Sequence, residues 1–435
     1  MVTITKRKAV QTSKRYRNYV LLLLMVVYIF NFIDRQILVI LQESIKAELG
    51  LSDKQLGLLS GFTFAIFYVV CGIPIARWAD RYNRVNIVSV SIAVWSTMTA
   101  ISGFTANFWQ LLAARVGVGV GEAGASPPSH SIISDYFPHG ERGRALSVYS
   151  MGIYMGILVG FLLGGWINQF FGWRVAFLVV GLPGVLMAVI VKLTLREPPR
   201  GQMDDGDHAD VPESDLLVDL KRLWLLRSFR YAALGAGFNA FLGYGSLNFM
   251  PSFAIRIYEV PVGVVGTWLA LIAGLAGATG AYAGGHLSDH FGKRDDRWSY
   301  WVPGASTLLA GVLLLPMMLS GSQYVMWSIY ILVALCQAMF LGPTIAMAHA
   351  LVGPRYRALS SSVLFFVLNI IGLGLGPLTV GAVSDALAPS MGVDSIRWAI
   401  MSTAMAAVVG AAFYFNAARY VREDLRIFKS STSMT

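Results

Sequence analysis

Long apolar runs alternate with short polar segments along the whole chain. Each run is about 20 residues long, the length that one helix needs to cross the hydrocarbon core of a bilayer. No stretch alternates with the period of two that membrane barrels require. The pattern therefore predicts an all-α membrane protein with about twelve transmembrane spans. These predicted spans, numbered 1 to 12, lie near residues 19–41, 55–76, 86–105, 108–134, 146–168, 174–194, 231–254, 263–286, 300–319, 323–350, 359–384 and 397–418.

The composition agrees with a membrane protein and excludes an ordinary soluble domain. Hydrophobic residues make up 56% of the 435 residues, and the mean hydropathy is +0.61. A soluble fold of this composition would expose too much apolar surface to water. The 44 glycines are typical of membrane helices that approach one another closely.

The basic residues are distributed unevenly between the two sides of the predicted membrane. The net charge is +10, from 34 Lys and Arg residues against 24 Asp and Glu. If the amino terminus is cytoplasmic, 27 of the 34 lie on the cytoplasmic side, five on the opposite side and two within spans. The positive-inside rule then places both termini in the cytoplasm. We interpret the basicity as a topology signal first and as attraction to anionic lipid second, with no nucleic-acid partner.

The amino terminus resembles a secretory leader but predicts a retained span. A basic segment, Lys6–Arg17, precedes an apolar run that is too long for a signal peptide and lacks a small-residue cleavage site. Cys71 and Cys336 fall in the middle of different spans, so neither a structural disulfide nor a metal site is predicted. We expect a monomeric, multi-pass protein of the cell membrane.

The chain divides near its middle. Residues 195–228 are polar and hold seven acidic residues between Asp204 and Asp219, a composition that favours a solvated linker. The prediction is an amino-terminal half at 1–194, a cytoplasmic linker at 195–228 and a carboxy-terminal half at 229–435. The end of the linker has a helical apolar face. Such a face is typical either of an interfacial helix or of a connecting helix packed on the bundle.

Two loop patterns occur once in each half. Asp80 and Asp289 lie 209 positions apart, in similar loops that follow spans 2 and 8. The sequences Arg144-Ala-Leu-Ser and Arg357-Ala-Leu-Ser, 213 positions apart, follow spans 4 and 10. Two six-span units of like topology imply a pseudo-two-fold axis along the membrane normal, with a binding site between the units.

Three ionisable residues inside predicted spans are the first candidates for the working site. Asp34 lies in span 1, and Arg115 and Glu122 lie in span 4. A charge in hydrocarbon costs at least ~3 kcal/mol on insertion scales, so such residues usually face a partner or a watery cavity. At 1.5 Å per residue, Asp34 lies roughly 22 Å along span 1 from Tyr19, and Arg115 about 10 Å below the opposite surface. The similar depth permits an ion pair.

Glu122 lies two turns beyond Arg115 on the same face of span 4. Our interpretation is that Asp34 is the partner of Arg115 and that Glu122 carries a proton. Two structural alternatives stay open: Asp34 and Arg115 lock spans 1 and 4 together, or Glu122 is a neutral, hydrogen-bonded acid. Arg35, about 100° round the helix from Asp34, is a further candidate, either for the site or as an anchor at the rim or towards lipid.

The carboxy-terminal half has no charge at comparable depth. Spans 7, 10 and 11 supply polar side chains among aromatic and methionine residues, which in membrane helices more often simply pack. A cavity with one charged wall and one apolar, aromatic wall would suit an amphiphile. The polar residues that would complete the site are Asn31, Tyr244, Asn248, Gln337 and Asn369.

Three patterns that suggest other functions are rejected. The run Gly119–Gly124 matches the dinucleotide-binding fingerprint but lies mid-span with no strand before it. His286 and His290 have metal-like spacing but no third ligand near them in the sequence. A phosphate-binding loop is missing, so ATP-driven transport is not expected and no cofactor is predicted.

Several motifs resemble the major facilitator superfamily. The loops around Asp80 and Asp289 resemble the repeated loop of that superfamily, with Ala76 and Asn83 where it has glycine. The segment Arg115–Gly121 resembles its second motif. A glycine ladder in span 5 resembles a third motif without its usual proline. The members of this ladder are Gly152, Gly156, Gly160, Gly164 and Gly165.

Within that superfamily, the amino-terminal half resembles the spinster family of sphingolipid and lysolipid transporters. The matching segments are Asn31–Arg35, Asp80–Arg84, Arg115–Ala123 and Arg196–Gly201. The carboxy-terminal half resembles only the superfamily. The resemblance implies a major-facilitator-type bundle of twelve helices in two six-helix halves, which works by alternating access.

The resemblance also implies secondary active transport of an amphiphilic lipid, such as a lysophospholipid or a sphingoid phosphate, coupled to protons. Arg115 would bind the anionic headgroup, because arginine suits phosphate. Asp34 would compete for Arg115, and Glu122 would be a second proton or substrate site. Residues near the repeated loops would latch the cytoplasmic side when the cavity opens outward. These latch residues are Asp80, Arg81, Arg84, Arg142, Arg144, Asp289, Lys293, Arg294, Arg355 and Arg357.

Two other kinds of function stay open. A proton-linked carrier of a small organic anion or drug would not require a lipophilic tail on its substrate. A channel would exceed the rates of alternating access, and a non-transporting sensor would bind without flux. The duplicated loops favour rocking halves over either. The expected partners are the substrate, protons and membrane lipid, and the chain is not expected to be an enzyme.

Overall fold

The computed structural model describes residues 13–203 and 216–432, and within these every regular element is a helix. The acidic stretch from Asp204 to Asp215 and the basic residues of the predicted leader before Ser13 lie outside the described residues. In chain order the helices are Lys14–Leu49, Asp53–Gly57, Leu58–Phe62, Thr63–Arg81, Arg84–Ser102, Phe108–Glu122, Ser126–Tyr136, His139–Phe171, Trp173–Thr194, Leu216–Leu225, Arg227–Tyr258, Val262–Leu271, Ile272–Ala276, Gly277–Gly292, Trp298–Leu319, Gln323–Ala338, Leu341–Val367, Leu368–Leu375, Gly376–Met391, Gly392–Asp394 and Ser395–Thr432.

These helices build the twelve spans that the apolar pattern predicts. By length and composition alone, nine helical stretches of the described residues could cross a membrane. The last of them, Leu359–Arg426, contains both span 11 and span 12. The criterion of length and composition does not select span 4, which is split after Glu122, or span 7, Arg227–Tyr258. The side where span 1 begins and span 12 ends is called the terminal side below, and the opposite side the far side.

Three spans contain a π-helical segment. These segments are Leu58–Phe62 in span 2, Ile272–Ala276 in span 8 and Leu368–Leu375 in span 11. Spans 2 and 8 occupy equivalent places in the two sequence repeats, so the irregularity recurs with the repeat. Such segments often occur at functional sites.

The glycine ladder of span 5 packs against span 1. A Cβ atom at Gly152 would lie 2.9 Å from the carbonyl oxygen of Met25, and one at Gly156 would lie 2.6 Å from that of Ile29. Only glycine lets the two backbones approach this closely. The ladder therefore fixes span 1, and with it Asp34, against its neighbour.

The two halves meet most closely near the far side. Gly57 and Gly61 of span 2 lie against the backbone of span 11 at Pro377 and Leu373, and neither position has room for a side chain. Gly165 of span 5 lies against span 8 in the same way. An apolar core cluster continues across this contact, from spans 1 and 5 into spans 7 and 8. The far side is therefore closed in this structure.

The first residues of the predicted linker are part of the amino-terminal half. Buried Arg84 donates to Asp135 at 2.5 Å and to Glu197 at 2.7 Å, and its Nη2 donates to the carbonyl oxygen of Pro198. Arg200 donates to two carbonyl oxygens at the end of span 2. In this structure all the described partners of Arg84 lie in residues 1–201, so Arg84 holds the amino-terminal half together here, and its predicted role in the latch stays a prediction. The Arg196–Gly201 motif fastens the end of span 6 to spans 2, 3 and 4.

The helix at the end of the linker, Leu216–Leu225, packs on the bundle. Leu223 is buried in an apolar cluster with Phe229 and other residues of the carboxy-terminal half, and Asp219 is also buried. Lys221 and Arg222 are exposed on the other face. Of the two interpretations of this segment, the structure favours the connecting helix.

Candidate functional site

A small cavity lies between the two halves, below the closed far side. Residues of spans 1, 2 and 4 line one wall, and residues of spans 7 and 11 line the other. The charged wall carries Arg35 and Arg115 beside Phe64, and the opposite wall carries Tyr244 and Asn248. Both arginines lie on the first wall as predicted, but Phe64 lies there too, and the opposite wall combines Tyr244 and Asn248 with two leucines in place of the predicted apolar, aromatic wall.

The ion pair in this cavity joins Arg35 and Glu122. The Nε of Arg35 donates to Glu122 Oε2 at 2.7 Å, and the Glu122 side chain is fully buried. The guanidinium of Arg35 also lies over three aromatic rings, those of Phe32, Phe64 and Tyr68, at 4.9 to 5.0 Å from their centroids. The interpretation of Arg35 as a rim or lipid-facing anchor is therefore wrong. Its carboxylate partner and the aromatic rings offset the cost of burying its charge.

Asp34 and Arg115 are both buried, but they do not form the ion pair that their depth permits. In the described part of the chain, both carboxylate oxygens of Asp34 and the Nε and Nη1 of Arg115 have no hydrogen-bond partner. Arg115 is still close enough to Asp34 and Glu122 to interact with both charges. Asp34 faces Trp95 and Thr99 of span 3. Depth along a helix fixes the height of a side chain but not its direction. Because successive residues point about 100° apart, Arg35, not Asp34, faces the cavity.

The other predicted polar residues are arranged unevenly. Asn31 is buried beside Glu122. Asn248 lines the cavity and donates to the carbonyl oxygen of Tyr244, one turn away. Asn369 likewise bonds within its own helix, to the carbonyl oxygen of Phe365. Gln337 lies beside Gly243 of span 7, and its Nε2 has no hydrogen-bond partner in the described part. Neither Asn369 nor Gln337 is among the residues that line the cavity.

The predicted latch residues are spread over the terminal side. Among the described residues, no hydrogen bond or ion pair joins Asp80, Arg81 or Asp289 to the other half. Lys293, Arg294, Arg144 and Arg357 are exposed as well, and the side chain of Arg355 lies outside the described part. Arg142 donates to carbonyl oxygens of its own half. A latch would close only in a conformation with the terminal side shut, so the latch stays a prediction.

A second charged cluster, which the sequence analysis missed, closes the far side. Arg256 of span 7 forms two hydrogen bonds to Glu43 of span 1, at 2.9 and 2.6 Å, and two to Asp53 of span 2, both at 2.7 Å. Lys46 lies 2.5 Å from Asp53, and Ser384 of span 11 donates to the same carboxylate at 2.6 Å. We call these residues the far-side gate.

Asp385 of span 11 completes the far-side gate by capping span 2. Its two carboxylate oxygens accept the backbone N–H groups of Asp53 and Lys54, at 2.9 and 2.8 Å. A carboxylate at a helix N-terminus accepts hydrogen bonds from backbone N–H groups that have no partner within the helix, and it interacts favourably with the helix dipole. Charges at span ends are visible in the sequence, but they look like ordinary loop charges. Only the packing of the two halves shows that they meet.

Comparison with known proteins agrees with this fold. The family model described as Major Facilitator Superfamily matches residues 24–377. An MFS-type efflux pump of Mycolicibacterium smegmatis is 33% identical over 404 residues, which cover 91% of each chain. Protein spinster homolog 1 of Xenopus tropicalis is 26% identical, over 95% of this chain and 83% of the relative.

A solved structure also matches the fold of this chain. The crystal structure of a bacterial homolog to the human lysosomal transporter spinster, in an inward-facing and unoccupied conformation, matches with a TM-score of 0.88 and 35% identity, over 95% of this chain and 99% of that one. The predicted fold and the predicted resemblance are thereby confirmed. The protein is a multi-pass membrane transporter and not an enzyme. The chain belongs to the major facilitator superfamily, and within it resembles the spinster proteins.

Proposed function

We propose that this protein moves an amphiphilic lipid of the lysophospholipid or sphingoid-phosphate class across the membrane, by alternating access coupled to protons. The observation that carries the proposal is the cavity between the halves. It combines buried Arg115 and partly buried Arg35 with aromatic side chains, and it lies below a closed far-side gate. We also propose that the protein acts as two six-span halves, residues 1–194 and 229–435, joined by the linker at 195–228.

The headgroup is held by the two arginines. Arg115 lines the cavity and forms no hydrogen bond with a described residue, so its guanidinium can supply the flat fork that suits a phosphate. Arg35 lies on the same wall. The acyl or sphingoid chain lies along the aromatic and apolar side chains of the cavity, among them Phe64 and Leu247.

Proton coupling follows from the pair of Arg35 and Glu122. A protonated carboxyl group has no charge and binds a guanidinium much more weakly than a carboxylate does. A proton on Glu122 therefore releases Arg35. Arg35 is then available to the anionic headgroup. The sequence interpretation also has Glu122 carry the proton, but it pairs the arginine of the site, Arg115, with Asp34, whereas here the ion pair joins Glu122 and Arg35.

The far-side gate predicts the effect of a single substitution on the conformational equilibrium. Arg256→Gln removes the cation shared by Glu43 and Asp53, and each charge-assisted hydrogen bond contributes ~1.5–3 kcal/mol. We expect the equilibrium to shift by more than about tenfold towards a form open on the far side. Spin labels at Phe104→Cys, in the amino-terminal half, and Gly321→Cys, in the other half, report that opening as a longer distance; both positions are exposed.

The matched control for Arg256→Gln is Arg397→Gln. Arg397 is also an arginine on the far side, but its partner is Asp394 of the same half, at 3.0 Å. The control should leave the distance between the labels unchanged. If Arg256→Gln also leaves the distance unchanged, these residues are not a gate.

A second function is favoured by one comparison. The relative named as an efflux pump suggests a proton-linked carrier of a small organic anion or drug. The two functions differ in whether the substrate needs a lipophilic tail. A screen of thermal stability in purified protein against lysolipids, sphingoid bases and small anions distinguishes them. Stabilisation by small anions alone would favour the second function over the first.

We further propose that both termini and the linker are cytoplasmic, in a protein of the cell membrane. The support is the concentration of basic residues on the terminal side. Single cysteines at Gly206 and Ser430 should resist a membrane-impermeant thiol reagent in intact cells, with Cys71 and Cys336 replaced by alanine. A cysteine at Gly321 on the far side should react. The reverse pattern would overturn this orientation.

A further inference from the structure

A stripe of exposed residues follows one face of span 2 down to the terminal side. The spacing is that of a single helix face, and apolar residues are followed along it by two arginines with a tryptophan between them. The stripe ends with Arg81, the last residue of the helix Thr63–Arg81. Five of its members line a shallow groove on the surface. The stripe consists of Val70, Ile73, Pro74, Arg77, Trp78 and Arg81.

The stripe faces away from the transport cavity. Tyr68, on the same helix, stacks on Arg35 in the cavity. Arg77 is nine residues further on, and at about 100° per residue it points in the opposite direction. Ile75, on a different face, lies against Gly124 of span 4, and Ala65 lies against Gly374 of span 11. The remaining face of span 2, which carries the stripe, is exposed.

The chemistry of the stripe matches the layers of a membrane leaflet. Arg77 and Arg81 lie one turn apart, are exposed, and form no ion pair with any described residue. Trp78 is 57% exposed, and the apolar Ile73 and Val70 towards the membrane interior are 58% and 62% exposed. Tryptophan favours the interface, and arginine at a helix end reaches the headgroups.

The equivalent face of span 8 carries histidines where span 2 carries arginines. With the offset of 209 positions between the repeated aspartates, Arg77 and Arg81 correspond to His286 and His290. The two imidazole rings stack on one another at 6.3 Å, and both residues are exposed. The fold thus presents two related faces of similar shape, but only the face of span 2 carries permanent cations.

We propose that the stripe on span 2 binds one anionic phospholipid from the leaflet on the terminal side. The phosphate lies between Arg77 and Arg81, which can each donate two hydrogen bonds to it. The indole of Trp78 lies at the level of the glycerol. One acyl chain lies along Ile73 and Val70. This site is separate from the transport cavity and does not depend on which substrate the cavity carries.

Charge complementarity decides in favour of a lipid over a protein partner. The two arginines have no charged partner among the described residues, and a juxtamembrane arginine attracts anionic lipid. The apolar part of the stripe continues into the depth of the membrane, where a chain of a phospholipid reaches it and a soluble protein does not.

Native mass spectrometry of the full protein in detergent tests the site. The protein is mixed with equal amounts of phosphatidylglycerol and phosphatidylcholine that carry the same acyl chains. We expect the wild type to retain phosphatidylglycerol preferentially. Arg77→Gln with Arg81→Gln should weaken that retention by at least about tenfold. Arg77→Lys with Arg81→Lys should keep most of it, since charge is preserved.

The matched control is His286→Gln with His290→Gln. It changes two residues at the equivalent place and should leave retention of phosphatidylglycerol unchanged. An equal loss in this control would overturn the assignment to span 2. So would displacement of the lipid by inorganic phosphate alone, which would indicate an anion site without a chain. The competition in the wild type needs no variant, and absence of a preference for phosphatidylglycerol there would also overturn the proposal.

Discussion

Arg115→Lys is expected to lower transport nearly as much as Arg115→Ala, by roughly 10- to 100-fold. Lysine keeps the positive charge but loses the planar fork that grips a phosphate in two places. Arg115 is 1% exposed, but it lines the cavity and forms no hydrogen bond with a described residue, so its guanidinium is available to a substrate there. Initial rates of substrate uptake into proteoliposomes measure the effect.

The same substitution outside the cavity is the control for Arg115→Lys. Arg174 on the far side pairs with Glu48, and both side chains are partly exposed, at 36% and 50%. Exposed ion pairs contribute only ~0–1 kcal/mol. Arg174 also donates to the carbonyl oxygens of Gly103 and Thr105, but all these contacts lie on the far side and outside the cavity, so Arg174→Lys should transport almost normally. Full transport by Arg115→Lys would leave Arg115 only the role of a point charge and would contradict the proposed grip on the headgroup.

Glu122→Gln is expected to abolish the dependence of transport on a pH gradient while leaving substrate binding largely intact. The amide imitates the protonated acid, because it has no charge with which to hold Arg35. Arg35 then stays available to the headgroup at every pH, supported by the rings of Phe32, Phe64 and Tyr68. The measurement is flux into liposomes at several imposed pH gradients, together with substrate affinity in detergent.

Two comparisons sharpen the test of Glu122. Glu141→Gln makes the same change at an exposed glutamate on the terminal side, whose partner is Arg17, and should keep the normal response to the gradient. Asp34→Asn should instead slow flux with or without a gradient, because it changes a buried carboxyl group that faces span 3 and interacts with Arg115. An unchanged gradient response in Glu122→Gln would remove Glu122 from the coupling mechanism.

Much of this fold could be predicted from the sequence because membrane helices impose strong constraints. Apolar runs of fixed length gave the positions of the spans, since a bilayer requires every backbone group to be satisfied within a helix. The glycine ladder of span 5 was recognisable, and it packs on span 1 because a side chain at Gly156 would meet the backbone of Ile29. The linker helix Leu216–Leu225 was recognisable by its apolar face, but not where that face packs.

The sequence predicted which charged residues lie in the candidate site, but not which of them form the ion pair. Asp34, Arg115 and Glu122 do lie close together, because buried charges are rare and cluster. Their partners depend on the rotation of span 1, which a difference of one residue changes by about 100°. The residue of span 1 that forms the ion pair in the cavity is therefore Arg35 and not Asp34.

The far-side gate and the Arg84 cluster show what sequence patterns leave out. Arg256 meets Glu43 and Asp53 across more than 200 positions of sequence, and only the packing of spans 1, 2 and 7 brings them together. Arg84 belongs to a repeated loop, which suggested a latch between the halves. Its contacts with Asp135 and Glu197 are local to one half, and the charge is satisfied there.

The most direct test of the account is flux in proteoliposomes of a lysophospholipid and of its deacylated glycerophosphate headgroup, side by side, with an imposed pH gradient. The account predicts that the gradient drives accumulation of the lysophospholipid, that a protonophore abolishes it, and that the headgroup without a chain is transported poorly. Equal transport of both compounds, or lysophospholipid flux that ignores the gradient, would contradict the central claim that this cavity couples protons to the movement of an amphiphile.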